Sequence, residues 1–298
     1  MNKTILITGS NGLLGQKLVH LLKHKYKVVA TSLGSCLISN QSDFIYQSLD
    51  ITEEKNILQI FEKYKPDFVI NTAAMTNVDG CEDGKESCDK INVTAVNYLS
   101  RACENFNSHL LHISTDFIFD GENGPYREND QPNPLSYYGL SKWKSEQVLQ
   151  QSNCKWAILR TIILYGTAEN LQRNNIVLWG RKALKEGSEL NIIDDQFRSP
   201  TLAEDLAQAC YLVIEKEAIG IYNASGKDIM SIYEMVERMA DFYQCDKSQI
   251  NRISSTTLIQ RAKRPPKTGF ILDKSFKVLG YKPHSFEEGL TLLEKQLN

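Results

Sequence analysis

The chain has 298 residues, enough for one large domain or for two domains that share an interface. Its 34 basic and 36 acidic residues leave a net charge of -2, which gives no electrostatic case for a nucleic-acid partner or an anionic membrane surface. Hydrophobic residues at 42% and charged residues at 23% are close to the globular averages, which excludes a disordered or fibrous chain. We therefore expect an ordinary globular protein with small-molecule ligands.

The cysteines and the first residues bear on metal binding and location. Seven cysteines are scattered without a C-x-x-C pair, and no metal site is predicted because tetrahedral sites need clustered soft ligands. Residues 1–12 contain an apolar run that is too short for a signal sequence or a membrane span. We expect free thiols and a cytoplasmic protein.

Strand-like and helix-like segments alternate along the first half of the chain. The strands are expected at residues 3–8, 26–32, 67–71, 109–114 and 155–161, with a further strand before Asp50, and the helices at 13–22, 53–64, 92–106 and 136–150. Residues 120–134 form a turn-rich loop. This alternation predicts an α/β fold built on a Rossmann-type, doubly wound parallel sheet.

The regular alternation of strands and helices changes beyond Gly166. Helices are expected at residues 176–186, 206–215, 231–242 and 286–295, joined by longer loops. We predict a Rossmann domain over residues 1–166 and a smaller, mostly helical, substrate-binding portion over residues 167–298. The segment 220–224 is left open, since it has the composition of a strand that returns to the sheet.

Three glycines follow the first predicted strand. Gly9, Gly12 and Gly15 form a G-x-x-G-x-x-G pattern between that strand and the first helix. The first glycine permits a tight turn, the second leaves room for a phosphate, and the third lets the helix pack closely against the strand. The pattern predicts a dinucleotide whose pyrophosphate binds at the helix N-terminus.

The choice between NAD and NADP depends on the end of the second strand. An acidic residue there favours NAD because it binds the ribose 2′-hydroxyl, whereas this strand ends in Thr31, Ser32 and Leu33. With neither an acid nor an arginine, NADPH or NADH is expected, and NADP is mildly favoured. Asp50 is a candidate contact at the adenine end, with the N-cap of the next helix as the alternative.

Tyr138 and Lys142 are four residues apart in a predicted helix and therefore lie on one of its faces. A tyrosine with a pKa of about 10 exchanges protons poorly at neutral pH, and lowering that pKa by about 3 units requires about 4 kcal/mol of favourable charge interaction. We expect the ammonium of Lys142, aided by an oxidised nicotinamide, to supply this interaction. Tyr243 and Lys247 repeat the spacing at a polar helix end, which we interpret as surface.

Hydroxyl side chains follow the strand that precedes this helix. Ligands of such sheets bind outside the carboxyl ends of the strands, where Ser114 and Thr115 are expected. We predict that Thr115, or alternatively Ser114, hydrogen-bonds a substrate carbonyl that Tyr138 protonates, while Lys142 also binds the nicotinamide ribose. A cap of a turn is the alternative role for Thr115.

Six segments in this order resemble the extended short-chain dehydrogenase/reductase superfamily and, more narrowly, the dTDP-4-dehydrorhamnose reductase family, over nearly the whole chain. They are residues 9–15, 71–79, 114–121, 138–142, 194–201 and 264–272. The resemblance implies a catalytic triad of Thr115, Tyr138 and Lys142. It also implies reduction of the C4 ketone of a dTDP-6-deoxy-4-ketohexose in dTDP-L-rhamnose biosynthesis, with NAD(P)H as hydride donor.

The resemblance also implies two sets of binding residues. The cofactor-binding set, besides Tyr138 and Lys142, is Gly9, Asn11, Gly12, Leu13, Leu14, Gly15, Thr31, Asp50, Ile51, Asn71, Ala73 and Ala74. The substrate-binding set is Thr76, Val78, Asp116, Phe117, Ile163, Arg198, Arg264 and Lys267.

Two positions depart from the family pattern. Ile163 stands where the family often has tryptophan, and Arg198 stands where it has glycine. Arg198, Arg264 and Lys267 are expected to bind a diphosphate through charge-assisted hydrogen bonds, with surface charge or an ion pair to a nearby Asp as the alternative.

Two other functions fit the same resemblance. A non-catalytic NADP-binding regulatory subunit, like that of methionine adenosyltransferase, would keep the fold without turnover. A sugar-nucleotide epimerase or dehydratase would retain its nicotinamide through the cycle. The intact triad counts against the regulatory subunit, and the Ser-Thr-Asp sequence at residues 114–116 resembles the reductases more than the dehydratases. A homodimer is left open.

Overall fold

The computed structural model describes residues 3–171 and 174–297. Its strands are β1 (Thr4–Thr8), β2 (Lys27–Ser32), β3 (Ile45–Ser48), β4 (Phe68–Asn71), β5 (His109–Thr115), β6 (Lys155–Thr161), β7 (Leu164–Tyr165), β8 (Leu190–Ile193), β9 (Phe197–Arg198), β10 (Thr201–Leu202), β11 (Gly220–Asn223), β12 (Met230–Ser231) and β13 (Ile250–Ile253).

The helices lie between these strands. They are α1 (Leu13–Leu22), α2 (Glu54–Tyr64), α3 (Val78–Asp83), α4 (Lys85–Asp89), α5 (Ala95–Phe106), α6 (Tyr137–Gln150), α7 (Ile176–Lys185), α8 (Ala203–Glu215), α9 (Ile232–Tyr243) and α10 (Phe286–Leu297). None of the helices in the described residues has the length and apolar character needed to cross a membrane.

Seven parallel strands form the central sheet in the order β3-β2-β1-β4-β5-β6-β11. Side chains of a strand alternate between the two faces, so Ile5 and Ile7 enter a core with α1 and α8, and Leu6 enters a core with α2 and α5. Because both faces are covered, the strands are continuous apolar runs. The predicted doubly wound α/β fold is confirmed.

The second half of the chain has a core of its own. Apolar side chains of α7, α9 and α10 pack together with the paired strands β8 and β13. The strand β11, in the segment that the sequence left open, pairs in parallel with β6 and completes the sheet. The division into residues 1–166 and 167–298 stays a prediction.

Two features were not predicted from the sequence. The short helices α3 and α4 are too brief to show a helical period of apolar residues. The helix expected at residues 92–106 is preceded by a π-helical turn, Lys90–Thr94, and α5 begins only at Ala95. Both features contact α6, the helix that carries Tyr138 and Lys142.

Candidate active site

The glycine loop has the geometry that its spacing predicts. Gly9 has φ of +69°, and a Cβ atom on it would lie 2.7 Å from the backbone nitrogen of Ala73. A Cβ on Gly15 would lie 2.3 Å from the carbonyl oxygen of Gly9. A side chain at either position would clash with backbone. The loop therefore brings the N-terminus of α1, which has no side-chain cap, against the end of β1.

A cavity of about 810 Å³ extends from this loop along the carboxyl ends of the sheet strands to the start of α7. The expected cofactor residues that line it are Asn11, Gly12, Leu13, Leu14, Gly15, Ala74, Tyr138 and Lys142, and the expected substrate residues are Thr76, Val78, Asp116, Phe117 and Ile163. Its size falls in the upper range of known ligand sites. One cavity thus joins the glycine loop, the strand-end hydroxyls and the tyrosine-lysine pair.

Other predicted cofactor residues do not line this cavity. The hydroxyl of Thr31 donates to the carbonyl oxygen of Ile7 at 3.0 Å, and Ile51 is buried. Asp50 accepts from the backbone and the hydroxyl of Thr52, while Glu53 is the N-cap of α2. Asp50 therefore stabilises a turn and is not the N-cap of α2.

Asn71 and Ala73 support the loop from behind. The side chain of Asn71 is buried, and its carbonyl oxygen accepts from the hydroxyl of Thr8 at 2.6 Å. The backbone of Ala73 lies where a side chain on Gly9 would be. Gly9 itself makes the turn. Cofactor contacts at Gly9, Thr31, Asp50, Ile51, Asn71 and Ala73 stay predictions.

Tyr138 lies in the first turn of α6, which begins after Ser136 caps it by accepting from the backbone N–H of Gly139 at 3.2 Å. The hydroxyl of Thr115 lies beside the phenol and lines the same cavity. Thr115 also caps a short turn, since it accepts from the backbone N–H of Phe117 at 3.2 Å. The alternative role of Thr115, the cap of a turn, is thus seen, and its hydrogen bond to a substrate carbonyl stays a prediction.

The hydroxyl of Ser114, the alternative to Thr115, is hydrogen-bonded to a different group. Ser114 lines the cavity, but its hydroxyl donates to the buried carboxylate of Glu146. That carboxylate forms a buried ion pair with Arg160 at 2.7 Å. Thr115 is therefore the hydroxyl that accompanies Tyr138.

The protein's own groups do not produce the expected lowering of the Tyr138 pKa. Withdrawal from solvent raises the pKa of Tyr138 above its usual 10 and outweighs the neighbouring hydroxyl of Thr115, which lowers it. Burial also lowers the pKa of Lys142 to about 8, so its ammonium is itself disfavoured. Burial thus dominates among the protein's own groups, and the expected joint effect of Lys142 and an oxidised nicotinamide stays a prediction.

Lys142 is buried beneath the cavity floor. Its Nζ donates to the carbonyl oxygen of Ile113 at 2.6 Å and lies 3.0 Å from Nε2 of His112. His112 is fully enclosed, and burial, together with the charge of Lys142, lowers the pKa of its imidazole. His112 was not predicted from the sequence, because a lone histidine in an apolar strand belongs to no motif.

Arg198 requires a correction. Its side chain is only 2% exposed, donates to the carbonyl oxygens of Phe197 and Pro265 at 2.7 Å, and lies 3.8 Å from the carboxylate of Asp116. The carboxylate of Asp116 also accepts from the hydroxyls of Thr115 and Thr268. The alternative, an ion pair with an Asp, is therefore what the structure shows. Arg198 is occupied inside the protein and does not line the cavity.

Arg264 and Lys267 lie outside the cavity lining as well. Arg264 forms an ion pair with Asp79 at 2.7 Å and lowers the pKa of that carboxyl, whereas Lys267 is exposed. Their predicted role toward a diphosphate stays a prediction.

Several lining residues were not predicted. They include Ser32 and Leu33 at the end of β2, and Asn174 and Asn175 at the start of α7. Asn175 is the N-cap of α7, where its side chain accepts from the backbone N–H of Leu178 at 3.1 Å. An Asn before an apolar helical run is an N-cap signal, so this position was readable from the sequence.

Known proteins resemble the chain over nearly its full length. Residues 2–298 match the family model described as the RmlD substrate binding domain. A dTDP-4-dehydrorhamnose reductase of Aggregatibacter actinomycetemcomitans is 32% identical over 300 residues, covering 96% of each chain. Methionine adenosyltransferase 2 subunit beta of Bos taurus is 28% identical, covering 89% of this chain and 79% of that protein.

The fold agrees with this likeness. The crystal structure of dTDP-4-dehydrorhamnose reductase from Bacillus anthracis in complex with NADP superposes with a TM-score of 0.87 at 27% identity, covering 99% of this chain and 100% of that one. The family model alone spans more than nine-tenths of the chain. The chain therefore belongs to the RmlD substrate-binding domain family.

Proposed function

We propose that the protein is an NAD(P)-dependent oxidoreductase that reduces the C4 ketone of a dTDP-6-deoxy-4-ketohexose, as a dTDP-4-dehydrorhamnose reductase of dTDP-L-rhamnose biosynthesis. The observation that carries this proposal is the meeting of Thr115, Tyr138 and Lys142 at one cavity with the glycine loop. The named reductases that this chain resembles support the substrate.

The residues of the glycine loop fit a dinucleotide. Gly15 and Gly9 leave no room for a Cβ atom, and the open N-terminus of α1 offers N–H groups to a pyrophosphate. When bound, the reduced nicotinamide supplies a hydride to the ketone carbon. Neither an acid nor a cation stands at Ser32 and Leu33, so NADPH and NADH both fit, with NADP mildly favoured.

The protein's own residues handle the proton. Reduction of a ketone leaves negative charge on its oxygen, which must receive a proton. Tyr138 is protonated at neutral pH, since its pKa is raised, and it lies beside Thr115 at the cavity. We assign proton donation to Tyr138, orientation of the ketone oxygen to Thr115, and binding of the nicotinamide ribose to Lys142.

The sugar nucleotide is assigned to the far end of the cavity. Thr76, Val78, Phe117 and Ile163 line this part together with the start of α7. Backbone N–H groups at a helix N-terminus favour an anion. The N-terminus of α7, which Asn175 caps, lies at the cavity. Ile163 leaves more room beside the hexose than the tryptophan of the family pattern. A homodimer and a cytoplasmic location remain predictions, the latter supported by seven free cysteines.

The test is a panel of 4-ketohexose nucleotides incubated with NADPH or NADH and followed at the nicotinamide absorbance. We expect oxidation of the cofactor with a dTDP-6-deoxy-4-ketohexose, and loss of turnover but nearly unchanged cofactor affinity in Tyr138→Phe. Cofactor that co-purifies and shows no net oxidation would instead support an epimerase or dehydratase. Binding of NADPH without turnover of any ketosugar would support a regulatory subunit, as the likeness to methionine adenosyltransferase 2 subunit beta suggests.

A further inference from the structure

A chain of buried polar groups lies beneath Lys142. Nε2 of His112 is 3.0 Å from Nζ of Lys142 and 3.0 Å from the hydroxyl oxygen of Ser145. On the other side of the ring, Nδ1 is 3.1 Å from the amide nitrogen of Asn71. These side chains are at most 2% exposed, so their hydrogen bonds must be satisfied inside the protein.

The neighbours of His112 determine which ring nitrogen carries the proton. The hydroxyl of Ser145 donates its single proton to the carbonyl oxygen of Lys142 at 2.7 Å, so Ser145 acts toward Nε2 as an acceptor. The carbonyl oxygen of Asn71 accepts from Thr8, so its amide nitrogen faces Nδ1 as a donor. Both contacts require the Nε2–H tautomer.

The one Nε2–H of this tautomer lies within hydrogen-bond distance of two atoms, the hydroxyl oxygen of Ser145 and Nζ of Lys142, which compete for it. A neutral amine can accept from that N–H, whereas an ammonium meets it donor to donor. We propose that His112 is a positioning residue whose Nε2–H faces Lys142 and controls whether that amine carries a proton. Lys142 then exchanges a proton near neutral pH, beside the tyrosine that must recover one after each turnover.

Two other groups around Lys142 raise its pKa. Glu146, one turn along α6, favours the ammonium, although its carboxylate is neutralised by Arg160. Cys88 of α4 also favours the ammonium, and Tyr138 completes the titratable groups of this region. Burial is the main cause of the low pKa of Lys142, about 8. In our proposal the N–H of His112 lowers this pKa further.

The inference rests on the proposed function only in that Lys142 is assigned to the cofactor. Its main measurement therefore uses no substrate. The pKa of Lys142 is measured by nitrogen NMR on protein labelled with [15N]lysine, and the signal is assigned by its loss in Lys142→Met. The matched variants are His112→Gln and His109→Gln, two buried histidines of β5 of which only His112 contacts Lys142.

The glutamine at position 112 can turn its amide oxygen toward Lys142 and its amide N–H toward Ser145. We expect His112→Gln to raise the pKa of Lys142 by about one unit. The alkaline limb of the turnover profile should move upward by the same amount. His109→Gln should leave both unchanged. An unchanged or lowered pKa of Lys142 in folded His112→Gln would overturn the proposal.

A second measurement needs no variant. Nitrogen NMR of wild-type protein labelled with [15N]histidine distinguishes the two tautomers of a neutral imidazole, and we expect His112 to carry its proton on Nε2. A proton on Nδ1 would overturn the proposal even if His112→Gln did not fold. Absence of ketosugar reduction by the wild-type protein would instead overturn the proposed function and leave the result for Lys142 standing.

Discussion

Lys142→Met should stabilise the protein while removing its activity. Burial lowers the pKa of Lys142 from 10.5 to about 8. At 1.36 kcal/mol per pKa unit, keeping this lysine protonated at pH 7 costs the folded state about 3 kcal/mol. Methionine fills similar space without a charge, and the hydrogen bond to the carbonyl oxygen of Ile113 is lost at about 1 kcal/mol. The net gain is about 2 kcal/mol.

The sign of the pH dependence follows from the lowered pKa. Between pH 8 and 10.5 the unfolded chain binds more protons at this lysine than the folded protein, so the penalty fades as the pH rises. The advantage of Lys142→Met should therefore be full at pH 7 and absent above about pH 10.5.

Urea unfolding at pH 7 and at high pH measures this advantage, and NADPH fluorescence measures cofactor affinity, which should fall with the rate. Lys144→Met is the matched control, because Lys144 lies on the same helix, is partly exposed and pairs with Asp89 at 2.9 Å. Removing it should give no gain. The reasoning fails if Lys142→Met is no more stable than wild type at pH 7, or if its gain is the same at every pH.

Three further changes test other parts of the site. Arg198→Met should leave the buried carboxylate of Asp116 without its cation and lower the free energy of unfolding by about 3 kcal/mol; a loss below 1 kcal/mol in urea unfolding would contradict the ion pair. Gly15→Ala should abolish NADPH binding, since its Cβ would lie 2.3 Å from the carbonyl oxygen of Gly9, and normal fluorescence titration would count against the close packing. Leu33→Arg should improve NADPH over NADH about tenfold in kcat/KM by placing a cation at the cavity edge, and equal use of both would argue that the 2′-phosphate binds elsewhere.

Much of the site was predictable because it depends on short-range spacing. Gly9, Gly12 and Gly15 lie close together because they belong to one short strand-to-helix turn. Tyr138 and Lys142 share a helix face because they are four residues apart. The parallel sheet followed from alternating strands and helices, since apolar period and turn residues are local properties.

Tertiary structure alone decided the electrostatics and the partners. Burial of Arg198 against Asp116 joins segments that are 82 residues apart, and no pattern at either position shows it. The raised pKa of Tyr138 and the lowered pKa of Lys142 depend on how much water the surrounding segments exclude. Desolvation sums over every atom packed around a group, whichever part of the chain supplies it, so sequence spacing could place these residues but could not give their charge.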